Sequence, residues 1–211
     1  MMEKYKVLIV EDQIMPRKLF EQYISLSKNF EVEKTFEDAD NAVVYCLKNK
    51  PDLILMDVMT KGGCNGLAAA KKIKKANPGI KIIIVTSMPE IAWIKKAKEI
   101  GVDSFWYKDV SEEPVISLME KTMSGEQIYP SSTPKVMFGK VDSSRLTDRE
   151  QDVLRQMVTG STNQEIADKL FLSVPTVKKH IQSMLEKTGF KNRTELAVMA
   201  RGVGLIIEAD E

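Results

Sequence analysis

The stretch LILMD, residues 53–57, is a short apolar run that ends on a carboxylate. Three other runs have the same form: VLIVED (7–12), IIIVTS (82–87) and FWYKD (105–109) each place polar side chains directly after apolar ones. Continuous apolar runs such as LILMD and IIIVTS are typical of strands that helices cover on both faces of a sheet. Helix-type patterns alternate with the runs about five times, which predicts an α/β fold with a five-stranded parallel sheet.

The positions of the apolar runs set the expected element boundaries. Strands are predicted over residues 6–10, 30–36, 53–56, 80–85 and 104–107. Helices are predicted over residues 15–27, 38–49, 66–76, 90–100 and 111–124. Pro114 then falls in the first turn of the last helix, where a missing N–H is tolerated.

Polar side chains gather where these strands end. In open parallel sheets, ligands bind outside the carboxyl ends of the strands. We therefore expect five residues to converge there, namely Glu11, Asp12, Asp57, Thr86 and Lys108. Three carboxylates, one hydroxyl and one ammonium have the composition of a magnesium-assisted phosphoryl-transfer site, because Mg²⁺ takes oxygen ligands and keeps several of its waters.

Each of these side chains has a separate expected role. Asp12 and Asp57 are the predicted direct metal ligands, and Glu11 acts directly or through water. Asp57 is also the predicted nucleophile. The metal and the Lys108 ammonium would neutralise charge on the phosphoryl oxygens, while the Thr86 hydroxyl donates one hydrogen bond.

Taken singly, the same residues have simpler interpretations. An acidic pair after a strand is often a helix cap, a Thr at a strand end is usually a turn residue, and a loop Lys is usually solvated. The ordered set of four motifs carries the prediction instead. Over residues 4–125 this set resembles the receiver domain of two-component response regulators.

The resemblance implies a flavodoxin-like, CheY-like fold and a phosphoryl group passed from a sensor histidine kinase to Asp57, which becomes 4-aspartylphosphate, with Mg²⁺ as cofactor. Thr86 matches the switch hydroxyl, Phe105 the switch aromatic and Lys108 the lysine of the family motif. The phosphate is then expected to draw the hydroxyl inward with the aromatic following, so that a local charge change biases a two-state element.

The loop after Asp57 departs from the family pattern. Receivers usually carry methionine and proline three and four residues after the aspartate, whereas Thr60 and Lys61 stand here. The stretch up to Gly66 is also one residue longer, so the loop over residues 60–65 is atypical near the metal. Met59 can still offer its backbone carbonyl as a ligand.

Two methionines predict how long the phosphoryl group survives. Met59 and Met88 stand two residues after the aspartate and the hydroxyl, where receivers flank the path of the hydrolytic water. A thioether cannot activate or orient that water well. We therefore expect slow hydrolysis of the aspartyl phosphate.

Composition and charge restrict the class of protein. The 211 residues suffice for two modest domains or one large one, and a net charge of +1 means that any basic surface must be local. Cys46 and Cys64 are too few for a disulfide framework or a zinc cluster. No stretch approaches roughly 18 consecutive apolar residues, so we expect a cytoplasmic protein with no membrane partner. Since His180 is the only histidine, the first domain has no phosphohistidine of its own, and a phosphoryl group on it must come from elsewhere.

Beyond residue 125 the periodic pattern stops and then changes. The segment YPSSTP, residues 129–134, carries two prolines and three hydroxyl residues, which is typical of a linker. Four helix starts follow, each marked by a capping side chain: Thr147 with Glu150, Thr162 with Glu165, Ser173 before Pro175, and Asn192 with Glu195. We predict a first domain over residues 1–125, a linker over 126–143 and an all-α four-helix domain over 144–211.

Two of these helices, near residues 164–170 and 174–187, have helix-turn-helix spacing. The second has an apolar face that is expected to pack inward, formed by Val177, Ile181 and Met184. Its outward face suits phosphate contact and base reading in a major groove, with Lys178, Lys179 and Gln182. On spacing and charge alone, a merely solvated face is the more common outcome.

The sequence motifs of this domain are more specific than its helix spacing and charge. From LTDRE through GSTNQEIADKLFLS and TVKKHI to KNRTELA, it resembles the LuxR-type helix-turn-helix domain of the NarL/FixJ group of response regulators. The resemblance implies that Lys179 and Gln182 read bases and that Lys178 contacts a phosphate. Thr176 also matches a DNA-facing position, and His180 is a usual member of the motif. The last helix is expected to pair two subunits.

These patterns predict a DNA-binding transcriptional regulator that acts as a dimer, is controlled by phosphorylation of Asp57 and is not an enzyme in the ordinary sense. Its expected partners are a sensor histidine kinase, double-stranded promoter DNA and a second copy of the chain. Two alternatives stay open: a phosphorylation-independent regulator with an atypical receiver, and a magnesium phosphatase with Asp57 as nucleophile. Against the phosphatase, Met59 stands where haloacid-dehalogenase-type enzymes place a second aspartate.

Overall fold

The protein is described by a computed structural model over residues 3–61, 65–108, 111, 113–131 and 133–206. The chain forms two compact units, one over residues 1–87 and 92–132 and the other over residues 88–91 and 133–211. Each unit has its own hydrophobic core. None of the helices in the described part of the chain combines the length and apolar character of a membrane span.

The first unit is a five-stranded parallel sheet with helices between the strands, which confirms the predicted fold class. The strands are β1 (Tyr5–Val10), β2 (Phe30–Phe36), β3 (Leu53–Asp57), β4 (Lys81–Thr86) and β5 (Ser104–Tyr107), in the order β2-β1-β3-β4-β5. The helices are α1 (Ile14–Leu26), α2 (Ala39–Lys48), α3 (Gly66–Ala76), α4 (Ile91–Ile100) and α5 (Val115–Met123).

The register of the sheet brings the polar strand ends to one level. Val10 of β1 pairs with Met56 of β3, so Glu11, directly after β1, and Asp57, the last residue of β3, lie side by side. Asp57 in turn pairs with Val85 of β4. Every residue of β3 is buried, and a shift of its register would move Asp57 away from the level of Glu11.

Helix α5 begins later than the sequence pattern indicates. The prediction started it at Ser111 with Pro114 in its first turn, whereas the helix begins at Val115 and Pro114 is its N-cap, with φ −59° and ψ 138°. A proline disfavours the helical conformation in the residue before it, here Glu113. The Glu113 carbonyl instead accepts a hydrogen bond from Trp106 Nε1 at 2.9 Å.

The second unit contains the four predicted helices: α6 (Asp148–Val158), α7 (Asn163–Leu170), α8 (Val174–Thr188) and α9 (Arg193–Gly202). The sequence-based caps are confirmed. Thr147 and Thr162 each form a complete capping box with the glutamate three residues on. Ser173 accepts a hydrogen bond from the Thr176 N–H, and Asn192 from the Glu195 N–H.

The predicted linker contains a structure that the sequence pattern did not reveal. Strands β6 (Met137–Phe138) and β7 (Val141–Asp142) form an antiparallel hairpin. Phe138 is fully buried in the helical core, with its ring 5.1 Å from that of Phe190. Strands of two residues are too short to show alternation, so only the packing reveals them. The domain boundaries at residues 125 and 143 remain a prediction.

Candidate functional site

Three carboxylates meet at the carboxyl ends of β1 and β3. One ligand oxygen from each of Glu11, Asp12 and Asp57 lies within 4.8 Å of the others. Glu11 and Asp57 are buried, whereas Asp12 is partly exposed. Like charges at such distances repel strongly in a poorly solvated position. The donor set, all oxygen and open to solvent on one side, fits a hard divalent cation that keeps some of its waters.

Lys108 lies against the same carboxylates. Its Nζ is 2.5 Å from Glu11 Oε2 and 2.8 Å from Asp57 Oδ2. The position follows from the sheet, because the Lys108 N–H donates to the Thr86 carbonyl at 2.9 Å directly after β5. Sequence and structure therefore agree that these strand ends converge.

Two buried carboxylates share one ammonium in this cluster. Burial raises the pKa of Asp57 to about 6, Lys108 opposes this rise, and the neighbouring charge of Glu11 adds to it. Burial also works against the charged form of Lys108, but Asp57 and Glu11 outweigh it and the pKa of the ammonium is raised. The negative charge is thus in excess, and a bound cation would relieve it.

The backbone around Asp57 is tightly packed. The Met59 N–H lies 3.4 Å from Asp57 Oδ1. Gly66, the first residue of α3, lies so close that a Cβ on it would come within 1.9 Å of the Asp57 carbonyl oxygen. Sequence reasoning missed this role, although a glycine that opens a helix just after the loop is a signal for close approach. Metal binding by the Met59 carbonyl remains a prediction.

The two predicted switch residues lie on neighbouring strands. Thr86 is buried at the end of β4, one residue beyond the strand partner of Asp57. Phe105 is buried in β5 with its ring 5.1 Å from the ring of Tyr107. Its N–H donates to the Ile128 carbonyl at 2.8 Å. Their placement is compatible with the switch roles, which remain predictions.

The loop after Asp57 is anchored at its start. Thr60 is buried, and its Oγ1 accepts a hydrogen bond from the N–H of Ala39, the first residue of α2, at 3.1 Å. The Lys61 N–H donates to the Glu37 carbonyl at 3.0 Å. Gly62, Gly63 and Cys64, where the extra residue was predicted, lie outside the described residues.

Helix α8 presents two different faces, as predicted. Its apolar face packs inward through Val177, Ile181 and Met184, all buried. The polar face exposes Lys178, Lys179 and Gln182, and His180 beside them is half-buried. An exposed cationic and amide face on the second helix of a helix-turn-helix is suited to phosphate and base contact.

Two hydrogen bonds on α8 were not expected from the sequence. Thr176 Oγ1 lies 2.8 Å from Ser173 Oγ, so its hydroxyl takes part in the helix cap. Gln182 Nε2 donates to Glu186 Oε1 at 2.8 Å. Glu186 thus places a negative charge one turn beyond the predicted base-reading residues.

A buried glutamate fixes α8 against α6. Glu150 Oε1 accepts from Ser183 Oγ at 2.7 Å, and Lys187 Nζ lies 2.7 Å from Glu150 Oε2. Burial alone would raise the pKa of Glu150, but the hydrogen bonds from Lys187 and Thr147 outweigh it and the pKa is lowered. The orientation of the helix is therefore set by a paired charge as well as by apolar packing.

Comparison with known proteins identifies the family. A family model described as the response regulator receiver domain matches residues 7–120, and one described as bacterial regulatory proteins of the luxR family matches residues 144–200. The chain therefore belongs to the response regulators. Its second unit is of the LuxR type, as the motif from LTDRE to KNRTELA predicted.

Curated relatives extend along nearly the whole chain. The response regulator protein VraR of Staphylococcus aureus is 32% identical over 92% of this chain and 95% of its own length. The nitrate/nitrite response regulator protein homolog of Haemophilus influenzae is 30% identical over 94% and 97%. The uncharacterized transcriptional regulatory protein YxjL of Bacillus subtilis is 30% identical over 97% and 98%.

Solved structures agree at the level of the fold. A structure of two RcsB dimers bound to two parallel DNAs has a TM-score of 0.64 at 21% identity, over 95% of this chain and 100% of that one. RcsB from Salmonella enterica serovar Typhimurium bound to promoter rprA has a TM-score of 0.62 at 21% identity, over 93% and 98%. At this identity the likeness concerns the fold alone.

Proposed function

We propose that this response regulator accepts a phosphoryl group on Asp57 from a sensor histidine kinase and thereby controls its binding to promoter DNA. The observation that carries the proposal is the meeting of Glu11, Asp12 and Asp57 within 4.8 Å, with Lys108 in contact with two of them. The fold alone would leave phosphorylation unsupported, because receiver-like sheets serve many functions.

The residues of the site divide the chemistry among them. Lys108 Nζ and the Met59 N–H orient the Asp57 carboxylate through its two oxygens. A carboxylate oxygen attacks phosphorus, an O–P bond forms, and the P–N bond to the donor imidazole breaks, with that ring keeping the electron pair and taking up a proton. Lys108 balances charge on the phosphoryl oxygens, and Thr86 donates a hydrogen bond to one of them.

Magnesium is the expected cofactor of this site. Glu11, Asp12, Asp57 and the Met59 carbonyl would hold the ion, which supplies charge neutralisation at the phosphoryl oxygens. Since Lys108 balances only part of the negative charge, the raised pKa of Asp57 supports the need for a cation.

The phosphoryl group enters from a partner and leaves slowly. The only histidine of the chain, His180, belongs to the DNA-binding helix, so the donor histidine is that of a kinase. Met59 and Met88 offer no group that activates water, which supports a slow hydrolysis rather than enzymatic turnover. A regulator of chromosomal promoters would act in the cytoplasm, where that DNA lies.

DNA binding is assigned to the polar face of α8. Lys179 and Gln182 are proposed to contact bases and Lys178 a phosphate, with Thr176 and His180 next to the sugar–phosphate backbone of the DNA. Helix α9 exposes Val198 and Met199. Two exposed apolar side chains on one helix support its pairing with α9 of a second copy, which would place two recognition helices on successive half-sites.

One experiment separates this function from its alternatives. Oligomeric state and DNA affinity are measured with and without beryllofluoride or acetyl phosphate in wild type, Asp57→Ala and, as a control, the exposed Asp40→Ala. We expect wild type and Asp40→Ala to respond and Asp57→Ala to remain unchanged. The absence of a response in wild type would indicate a phosphorylation-independent regulator, and an equal response in all three proteins would exclude Asp57 as the switch. Multiple turnover of p-nitrophenyl phosphate would instead support a phosphatase.

A further inference from the structure

A chain of ionic contacts joins three segments of the first unit beside the carboxylates. Arg17 Nη1 of α1 lies 3.2 Å from Glu37 Oε1, and Lys61 Nζ lies 2.9 Å from Glu37 Oε2. Glu37, in the β2–α2 loop, therefore binds one cation with each of its oxygens. The Lys61 N–H also donates to the Glu37 carbonyl, so side chain and backbone of Lys61 hold the same residue.

One end of this chain of contacts holds the Glu11–Asp12 turn. Arg17 Nη1 also donates to the Glu11 carbonyl at 3.1 Å. The Glu11 N–H donates to the Phe36 carbonyl at 2.9 Å. The Glu11 carbonyl is thus bound by Arg17, which contacts Glu37, and the Glu11 N–H is bound by Phe36, the residue before Glu37.

The other end holds the segment that follows Asp57. Lys61 is four residues after Asp57, and its two contacts to Glu37 fix the path of the chain there. The buried Thr60 strengthens this anchor through its hydrogen bond from the Ala39 N–H. The two loops that carry the carboxylates are therefore connected to each other through Glu37.

We propose that Arg17, Glu37 and Lys61 are positioning residues that set the spacing between the Glu11–Asp12 turn and Asp57 and so prepare the carboxylates for a divalent cation. The inference rests on the proposed magnesium-dependent function. It also assigns a role to the atypical loop, since a proline at position 61 has neither an N–H nor a cation and could make neither contact with Glu37.

The exposure of these groups distinguishes positioning from stability. The side chains of Arg17, Glu37 and Lys61 are 17%, 46% and 70% exposed. Ion pairs this close to solvent contribute little to folding. Groups that orient metal ligands, in contrast, affect metal affinity strongly when they are removed. Loss of the network should therefore weaken cation binding while thermal stability stays nearly constant.

The test measures the Mg²⁺ dissociation constant of the full chain by isothermal titration calorimetry, with thermal unfolding in metal-free buffer alongside. Lys61→Met and Glu37→Gln should each raise the dissociation constant about tenfold, the lower end for groups that orient metal ligands. Lys61→Arg keeps the positive charge that contacts Glu37, so its Mg²⁺ dissociation constant should stay close to that of wild type. At saturating Mg²⁺, phosphorylation by acetyl phosphate should return to the wild-type rate in both weakened variants.

The matched control is Lys72→Met, which removes another exposed lysine–carboxylate pair of the same unit, Lys72 with Asp40 at 3.4 Å. It should leave Mg²⁺ affinity unchanged. Wild-type affinity in both Lys61→Met and Glu37→Gln, or an equal loss in Lys72→Met, would overturn the positioning role. Absence of Mg²⁺ binding in the wild type would instead remove the proposed function, so the two failures are distinguishable.

Discussion

Asp57 is a buried carboxylate whose surroundings disfavour its negative charge in the folded protein and so favour the binding of a cation. Burial and the charge of Glu11 raise its pKa to about 6, in spite of its contact with Lys108. Its negative charge at neutral pH therefore destabilises the metal-free fold. Active sites commonly keep such unfavourable charges because binding or chemistry later uses them.

The pH dependence of stability tests this electrostatic description. In the unfolded chain Asp57 loses its proton near its ordinary pKa of 3.8, whereas in the folded chain it does so at about 6. The penalty is absent below pH 4, grows between the two values and is fully present above pH 6. Asp57→Asn should therefore raise the free energy of unfolding at pH 7 by about 2 kcal/mol in metal-free buffer.

Fluorescence of Trp93 and Trp106 can follow this change, because both tryptophans lie in the first unit. The exposed Asp40→Asn is the control and should show no such pH dependence. A lower stability of Asp57→Asn at pH 7 would mean that attraction to Lys108 outweighs burial.

Gly66 is required by contact rather than by backbone conformation. A Cβ at this position would meet the Asp57 carbonyl oxygen at 1.9 Å, and backbone atoms cannot give way as a flexible side chain does. Gly66→Ala should cost about 1–3 kcal/mol of stability, as overpacking does, and should weaken Mg²⁺ binding. Gly79→Ala is the matched control, because nothing lies within 4 Å of its Cβ. Similar melting temperatures for the two variants would contradict the contact argument.

The β6–β7 hairpin acts as a structural part of the DNA-binding unit. Phe138 fills the core, and the Lys140 N–H donates to the carbonyl of Thr188, the last residue of α8, at 2.9 Å. Gly139 lies over the same carbonyl, where a Cβ would come within 2.2 Å. The hairpin therefore supports the C-terminal end of α8, although its sequence resembles a linker.

A pair of glycine substitutions isolates that support. Gly139 and Gly160 both have positive φ, at 67° and 82°, but only Gly139 is close to other atoms. Gly160→Ala should cost about 1 kcal/mol for the left-handed conformation alone, and Gly139→Ala should cost about 1–3 kcal/mol more for the clash. Thermal unfolding followed by far-ultraviolet circular dichroism measures both. Equal losses would show that the hairpin does not press on α8.

The polar face of α8 predicts separable effects on DNA affinity. Lys178→Ala should lower the affinity for all DNA sequences alike and reduce the slope of log affinity against log salt concentration by about one. Lys179→Ala and Gln182→Ala should lose about 1–3 kcal/mol on the preferred site and relax sequence preference. Binding assays over a salt series measure both quantities. Identical salt slopes and specificities in all variants would refute the assignment of roles.

The protein as a whole joins two units of different chemistry, each with its own core. The first gathers carboxylates and a lysine at a sheet edge, and the second exposes a basic helix. Net charge is only +1, so long-range attraction to DNA is weak and local contacts must supply the affinity. A second copy would double those contacts, so the proposed pairing through α9 would be a point of control.

A charge placed on α9 tests this pairing. Val198→Asp should keep the protein monomeric by sedimentation and lower DNA affinity at least about tenfold, because a desolvated charge opposes association. Val198 is 63% exposed, so folding should be unaffected. Val44→Asp is the control, since Val44 is 57% exposed on α2. Dimers of Val198→Asp at wild-type concentrations would exclude α9 as the interface.

Local patterns predicted most of the elements because their causes are local. Apolar runs predicted β1 to β5, and capping side chains predicted the starts of α6 to α9. The predicted start of α5 was wrong, because Pro114 is the N-cap of this helix and does not lie in its first turn. The β6–β7 hairpin was missed, because its strands are too short to carry a period.

The convergence of Glu11, Asp12, Asp57 and Lys108 was also predictable, because the strand ends of a parallel sheet meet at one edge. The surroundings of these residues could not be predicted from the sequence. The contact of Gly66 with Asp57, the link from Arg17 through Glu37 to Lys61, and the pairing of Glu150 with Lys187 join residues far apart in the chain. Periodicity and capping act over a few residues, whereas distances, burial and shifted pKa values arise only when distant segments pack together.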